Sequence, residues 1–228
     1  MTLTQLRSYS RFLTNTNSTT FTDADTLVSA NVWYDILAAE IVSSMDDWDI
    51  GGEIATANLV VGQQEYVFPA DIFKIKRIEA AYDGTNWYPV TRFDVSELGI
   101  ATDPTNVANH FSKSKPYADT YDNSIFLFPT PDLSVTNGLK IYYEPLVTQL
   151  SGVSSEPDIA RPFHVGIALG MAKDYLKKYI TVDGNQNKLM TIENDLEKLR
   201  NDMKEYYRSR NQDREYSGFG SGGADYEY

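Results

Sequence analysis

Helical periodicity stands on both sides of a stretch that reads only as β structure, and this limits the fold more than any single residue. The stretch spans 65–90, EYVFPADIFKIKRIEAAYDGTNWYPV. Tyr66, Val67 and Phe68 run into Pro69, which has no amide hydrogen for a ladder and so ends or edges a strand. Ile72, Ile75 and Ile78 then alternate, imperfectly, with Lys74, Lys76 and Arg77, as on a half-buried strand. Asp83-Gly84 supplies the positive-φ chemistry of a hairpin turn, and Trp87 and Tyr88 start β pattern again. The spacing therefore predicts a β module inserted into a helical unit.

The module is expected over 56–147. Leu59-Val60-Val61 opens it, and Gly62-Gln63-Gln64 makes the turn into 65–68. Strand pattern continues over 90–95. A long loop, 96–119, follows, rich in Asn, Pro, Ser and Lys; loops of that length in compact domains tend to carry function. It holds His110, Phe111 and Tyr117. Ser124-Ile125-Phe126-Leu127-Phe128 is strand-like and Pro129-Thr130-Pro131-Asp132 turns the chain. Asn137-Gly138 reads as another tight turn into Leu139, Ile141 and Tyr143. Short strands between turn signals point to an antiparallel sandwich or barrel.

The helical part has two sequence blocks, 1–55 and 148–212. Leu6, Tyr9 and Leu13 suit a short helix over 3–13. Thr22 and Asp25 have capping-box spacing, with Asp where Glu is usual. The helix they open is expected to end near Asp46. Its apolar face is widened by Trp33 and Tyr34; core packing is their plainer role, and an interface the sharper one. A first C-terminal helix is expected over 159–179, striped by Phe163, Ile167, Met171, Tyr175 and Tyr179, with His164 beside the stripe. In the next, over 187–210, Leu189, Ile192, Leu196, Leu199, Met203 and Tyr206 are spaced three, four, three, four and three. That is a heptad seam, for the preceding helix or for a neighbouring subunit. Residues 213–228 read as a flexible, mainly acidic tail built on glycine. Tyr216, Phe219, Tyr226 and Tyr228 punctuate it, and a mere linker has no use for aromatics.

What the chain lacks narrows its chemistry. The sequence has 228 residues, no cysteine and two histidines, so disulfides and thiolate metal sites are excluded and nucleophile–base pairs are hard to build. Asp46, Asp47 and Asp49 crowd together, but without the ligand spacing of a calcium loop. No phosphate-binding glycine loop and no nucleophile elbow occurs. We expect no enzyme, no cofactor and no metal. A formal charge of −12 argues against binding nucleic acid through a basic face; it suits a protein that DNA passes without sticking. There is no apolar run long enough for a bilayer span, and no early run of signal-peptide type. A soluble protein made in the cytoplasm is the expectation.

The order of parts resembles the head–tail connector, or adaptor, proteins of tailed bacteriophages. The likeness rests on Thr22-Asp23-Ala24-Asp25 with Asp47-Trp48, and on Gly62-Gln63-Gln64-Glu65-Tyr66-Val67-Phe68-Pro69-Ala70-Asp71. Phe128-Pro129-Thr130-Pro131, Leu139-Lys140-Ile141-Tyr142-Tyr143-Glu144-Pro145 and the C-terminal helix pair complete it. It covers most of 20–210. It implies an α+β fold, a helical bundle carrying an inserted β module, assembled as a ring, commonly dodecameric, in the neck of the virion. Such a ring docks on the portal, extends the DNA channel and offers a surface to the tail. On this likeness Tyr216, Phe219, Tyr226 and Tyr228 would grip the portal. Trp33, Tyr34, Leu196, Leu199, Met203 and Tyr206 would line subunit interfaces, and the loop with His110, Phe111 and Tyr117 would face the tail. The rival is a glycan-binding module of a virion or cell surface, with Trp87, Tyr88 and Tyr117 stacked on sugars.

Overall fold

The structure is a computed structural model that describes residues 1–44, 52–92, 111–182 and 184–215, with side chains through 209. It is α+β and divides into two compact units: Met1–Ile50 with Val147–Tyr228, and Gly51–Leu146.

Among the described residues of the first unit there are four α-helices: α1 (Leu3–Thr14), α2 (Asp23–Ser44), α3 (His164–Lys178) and α4 (Asn185–Glu215). Helix α1 starts on a full capping box: Thr2 Oγ1 accepts from the Gln5 amide and the Gln5 side chain accepts from the Thr2 amide. At α2 only half of the expected box forms. The Asp25 amide donates to Thr22 Oγ1 at 3.1 Å, while the Asp25 carboxylate takes the Thr22 hydroxyl at 2.8 Å instead of reaching the backbone. Aspartate is one methylene shorter than the usual glutamate, which accounts for the exchange.

Helix α3 begins at His164, five residues later than the stripe suggested. Pro162 sits in the first turn of a short 3-10 segment, Arg161–Phe163, that leads into it. Helix α4 runs on to Glu215, so the first residues of the expected tail are helical. Helix α3 packs against the other three helices. The core they share holds Leu3, Leu6, Tyr34, Leu37 and Ile41 from the N-terminal helices, with Ile167, Met171, Leu196, Met203 and Tyr207 from the C-terminal pair.

Among the described residues the second unit has two four-stranded sheets and no closed barrel. One has the order β1-β8-β3-β4, with β1 Glu53–Leu59, β8 Val135–Pro145, β3 Ile72–Ala80 and β4 Tyr88–Pro89. The other is β2-β7-β6-β5, with β2 Glu65–Val67, β7 Ser124–Phe128, β6 Tyr117–Tyr121 and β5 Thr91–Arg92. Their apolar faces feed one core: Leu59, Ile78, Leu139 and Ile141 from the first sheet, with Tyr66, Ala118, Ile125 and Leu127 from the second. The pairing is not antiparallel throughout, since β5 lies parallel to β6. Asp83-Gly84 does join β3 to its antiparallel partner β4, with Gly84 at φ +75°. Asp83 accepts from the Thr85 and Asn86 amides and from the Asn86 side chain, and these bonds hold its carboxyl down at about 2.

Asn137-Gly138 is a correction. It makes no hairpin; it lies inside β8, where the register against β1 slips between Ala57 and Leu59. Asn137 takes the left-handed conformation at φ 52° and its amide donates to Asn58 Oδ1, the signature of an irregular strand position. Positive-φ chemistry serves bulges as well as turns, and the sequence does not separate the two.

His164 is 3% exposed and its Nε2 lies 2.9 Å from the Ile159 carbonyl. Burial lowers its pKa below the ordinary 6.5, so the folded protein favours the neutral ring. Its contribution to stability is therefore complete above pH 6.5 and is lost as pH falls from there through the native value. Thermal melts between pH 7.5 and 5.5 are expected to show a loss of stability that His164→Gln removes; equal slopes in the two proteins would refute this.

Candidate assembly surfaces

Helix α2 is apolar on two faces. Alanine, aromatic and branched residues fill Asp23–Ser44 with few charges between Asp25 and Glu40. One face, with Trp33, Tyr34, Leu37 and Ile41, is buried in its own unit. The other carries Val28, Val32 and Ile36 at four-residue intervals, 66%, 49% and 37% exposed. Residues four apart on a helix are neighbours, so these three form a continuous stripe. Exposed Asp25 and Asp35 border it, and Asp35 is held by Gln149 Nε2 at 2.9 Å. The helix thus carries an apolar stripe beyond the face its own unit buries.

The heptad residues of α4 sort differently. Leu189, Ile192, Leu196 and Met203 are buried within the unit, as are Trp33 and Tyr34, so their surface is already used inside it. Leu199 is partly buried. Tyr206 is 38% exposed, with its ring 5.2 Å from those of Phe163 and Tyr207. The last core position is filled by Tyr207, one residue beyond the expected seam. A straight helix turns every 3.6 residues, so a seam packed without strict supercoiling drifts from the heptad by its third repeat. Of the six residues expected at an interface, Leu199 and Tyr206 are those the helical unit leaves accessible.

Charges flank α4. Arg200 grips Glu40 of α2 through both Nε and Nη2, and this bond raises the pKa of Arg200. Lys173 Nζ stands 3.1 Å from Glu193, which lowers the pKa of that exposed carboxyl. These pairs join helices of one unit; exposed pairs such as Lys173–Glu193 add little stability each.

In the β unit, Phe111 rests on Tyr117 and on the buried ring of Phe128, with centroids 5.1 and 5.5 Å apart. Lys113 pairs with Asp132 and lowers its pKa. The later part of the expected loop, from Phe111 on, is thus pinned to β6 and β7, and β6 itself begins inside it at Tyr117. His110 lies outside the described residues, as do Tyr216, Phe219, Tyr226, Tyr228 and the aspartates 46, 47 and 49. Trp87 carries the Lys140 ammonium 3.8 Å over its ring, Tyr88 is in β4 of the first sheet, and Tyr117 is in β6 of the second. Among the described residues no group of three potential metal ligands converges, and no helix is long and apolar enough to cross a membrane.

The sequence places Val28 among the apolar positions of α2 but does not single out Val32 and Ile36, so the Val28–Val32–Ile36 stripe was not legible as a second face. The four-residue spacing of Val28, Val32 and Ile36 was the available signal. A comparison with curated proteins gives no match. The family model described as SU10 adaptor protein matches residues 1–220, and the chain belongs to that family, a family of phage head–tail adaptors.

Proposed function

We propose, from this membership, that the chain forms a homo-oligomeric ring, a dodecamer, that docks on the portal, continues the DNA channel and presents the tail attachment surface. By family it is a structural adaptor protein of the phage virion, working with other head and tail proteins. The helices act as a bundle scaffold for the oligomer and carry the β module, two sheets packed as a sandwich, toward partners. Assembly is the mechanism. No bond is made or broken, and the net charge of −12 lets DNA pass without adhesion.

The observation that carries this reading is the exposed stripe Val28, Val32 and Ile36 on a helix whose opposite face is already buried. A ring needs a heterologous contact, one patch meeting a different patch on the next copy, and the stripe with Leu199 and Tyr206 supplies candidates. Light scattering over a concentration range is expected to show a closed oligomer. Val32→Asp with Ile36→Asp should raise the concentration needed for assembly by about 100-fold, equivalent to about 2.7 kcal/mol, without lowering the melting temperature of the monomer. A wild-type chain that stays monomeric, alone and with a portal ring, overturns the proposal.

The aromatic segment 216–228, with Tyr216, Phe219, Tyr226 and Tyr228, is assigned to the portal in the same proposal, and the loop bearing His110, Phe111 and Tyr117 to the tail. Deleting 216–228 should weaken portal binding and leave the melting curve unchanged. Undiminished binding would remove that assignment.

A further inference from the structure

Strand β1 is the one long strand edge without built-in protection among the described residues. It pairs with β8 on one side, from Glu53↔Tyr143 to Ala57↔Leu139, and no described strand pairs with its other side. The other open edges are blunted: β3 runs beyond its two-residue pairing with β4 over 72–77, but carries Lys74, Lys76 and Arg77 there and two register shifts. β4 has two residues and ends on Pro89, β5 has two residues, and β2 has three. Proteins protect edges by shortness, proline, lysine or bulges. β1 is seven residues long, Glu-Ile-Ala-Thr-Ala-Asn-Leu, with no proline, lysine or arginine, and its register holds until Ala57.

The side chains along the edge fit an added strand. Ile54 is 56% exposed on one face. On the other, Ala55 and Ala57 are partly buried against the core and are too small to close it. A further strand would cover Ile54 and fill the space beside the two alanines at once.

We propose that β1 receives an extended segment of a different virion protein as a fifth strand of its sheet. A second copy is a poor occupant. Three of the remaining edges are two or three residues long, the uncovered stretch of β3 is broken by register shifts after Ile72 and Ile75, and pairing β1 with β1 of another copy is two-fold and closes a pair, which cannot continue a ring. The incoming segment is held by main-chain hydrogen bonds, with alternate side chains giving selectivity. Large apolar residues would face Ala55 and Ala57. Neutral or basic character is favoured, because Glu53 is the only charge on the strand and the chain is strongly acidic. The inference rests on the adaptor reading for where the partner is found, in the virion.

Hydrogen exchange on residues 53–59, resolved by residue, tests it in two samples: the purified chain, and the chain within purified virions. In the purified chain every second amide, the set facing away from β8, should exchange fast. In virions that set should slow by at least about 10-fold. Equal rates in the two samples overturn the proposal. So does protection already present in the purified chain, which would mean that another segment of the same chain covers the edge. Slowing of every amide alike, including the turn 60–64, would show plain burial and overturn it as well. Ile54→Lys with Thr56→Lys, both at exposed positions, should keep the melting curve and the oligomer size. It should either restore fast exchange in virions or fail to be retained in them. Retention with protection intact would count against the added strand, whereas failure of the ring itself would appear in light scattering.

Discussion

Replacing Gly170 by alanine is expected to cost about 2 kcal/mol, although alanine is the better helix former. Gly170 is in the middle of α3, where a β-carbon would lie 2.5 Å from Trp33 Cε2 and closer still to Cγ and Cδ2. The indole cannot step aside. Its Nε1 donates to Asp174 Oδ2 at 2.8 Å, and the ring is buried between α2 and α3. Overpacking of this kind costs about 3 kcal/mol at the upper end of its usual range, against about 1 kcal/mol gained in helix propensity. Gly166, one turn earlier, is the control. There the added carbon meets the tips of Leu199 and Leu37 at 2.7 and 3.1 Å, and flexible tips can move. Denaturant melts should rank wild type, Gly166→Ala and Gly170→Ala in falling order of stability. A neutral or stabilising Gly170→Ala would show that the helices can separate freely.

The same pair of glycines shows what the sequence held and what it hid. Two glycines four apart inside a helix are costly, so their presence signalled a close neighbour. Nothing local, however, named Trp33 as that neighbour. The alternation of β and helical pattern was legible because burial on one face imposes a period on each element. The exposed stripe of α2 was not, since Val28, Val32 and Ile36 look like core residues until the fold has chosen which face it buries. Asn137-Gly138 misled for a related reason: backbone chirality is local, whereas the partner strand that makes it a bulge lies far away in sequence. The edge at β1 is a property of sheet order alone. Only the pairing order β1-β8-β3-β4 reveals that no described strand lies on the far side of β1.

Tyrosine content had a similar ambiguity, and two of the 16 tyrosines answer it through their hydroxyls. Tyr34 of α2 and Tyr207 of α4 are fully buried, and their phenol oxygens accept the amides of Asp158 and Ala160 at 2.7 and 2.8 Å. His164 of α3 holds the carbonyl of Ile159 between them. Three helices therefore fasten one three-residue segment at the entry to α3. Burial pushes the Tyr34 phenol up to about 12, so it stays neutral and bonded over the whole working range of pH. Tyr34→Phe and Tyr207→Phe keep the rings and remove only the acceptors, which should cost about 1–2 kcal/mol each. The two amides sit on one short segment, so losing the first clamp loosens the geometry of the second. The double variant is expected to cost less than the sum of the singles, and the amides of 158 and 160 should exchange together with solvent. Strict additivity, with one amide still protected, would mean that each tyrosine holds its residue alone.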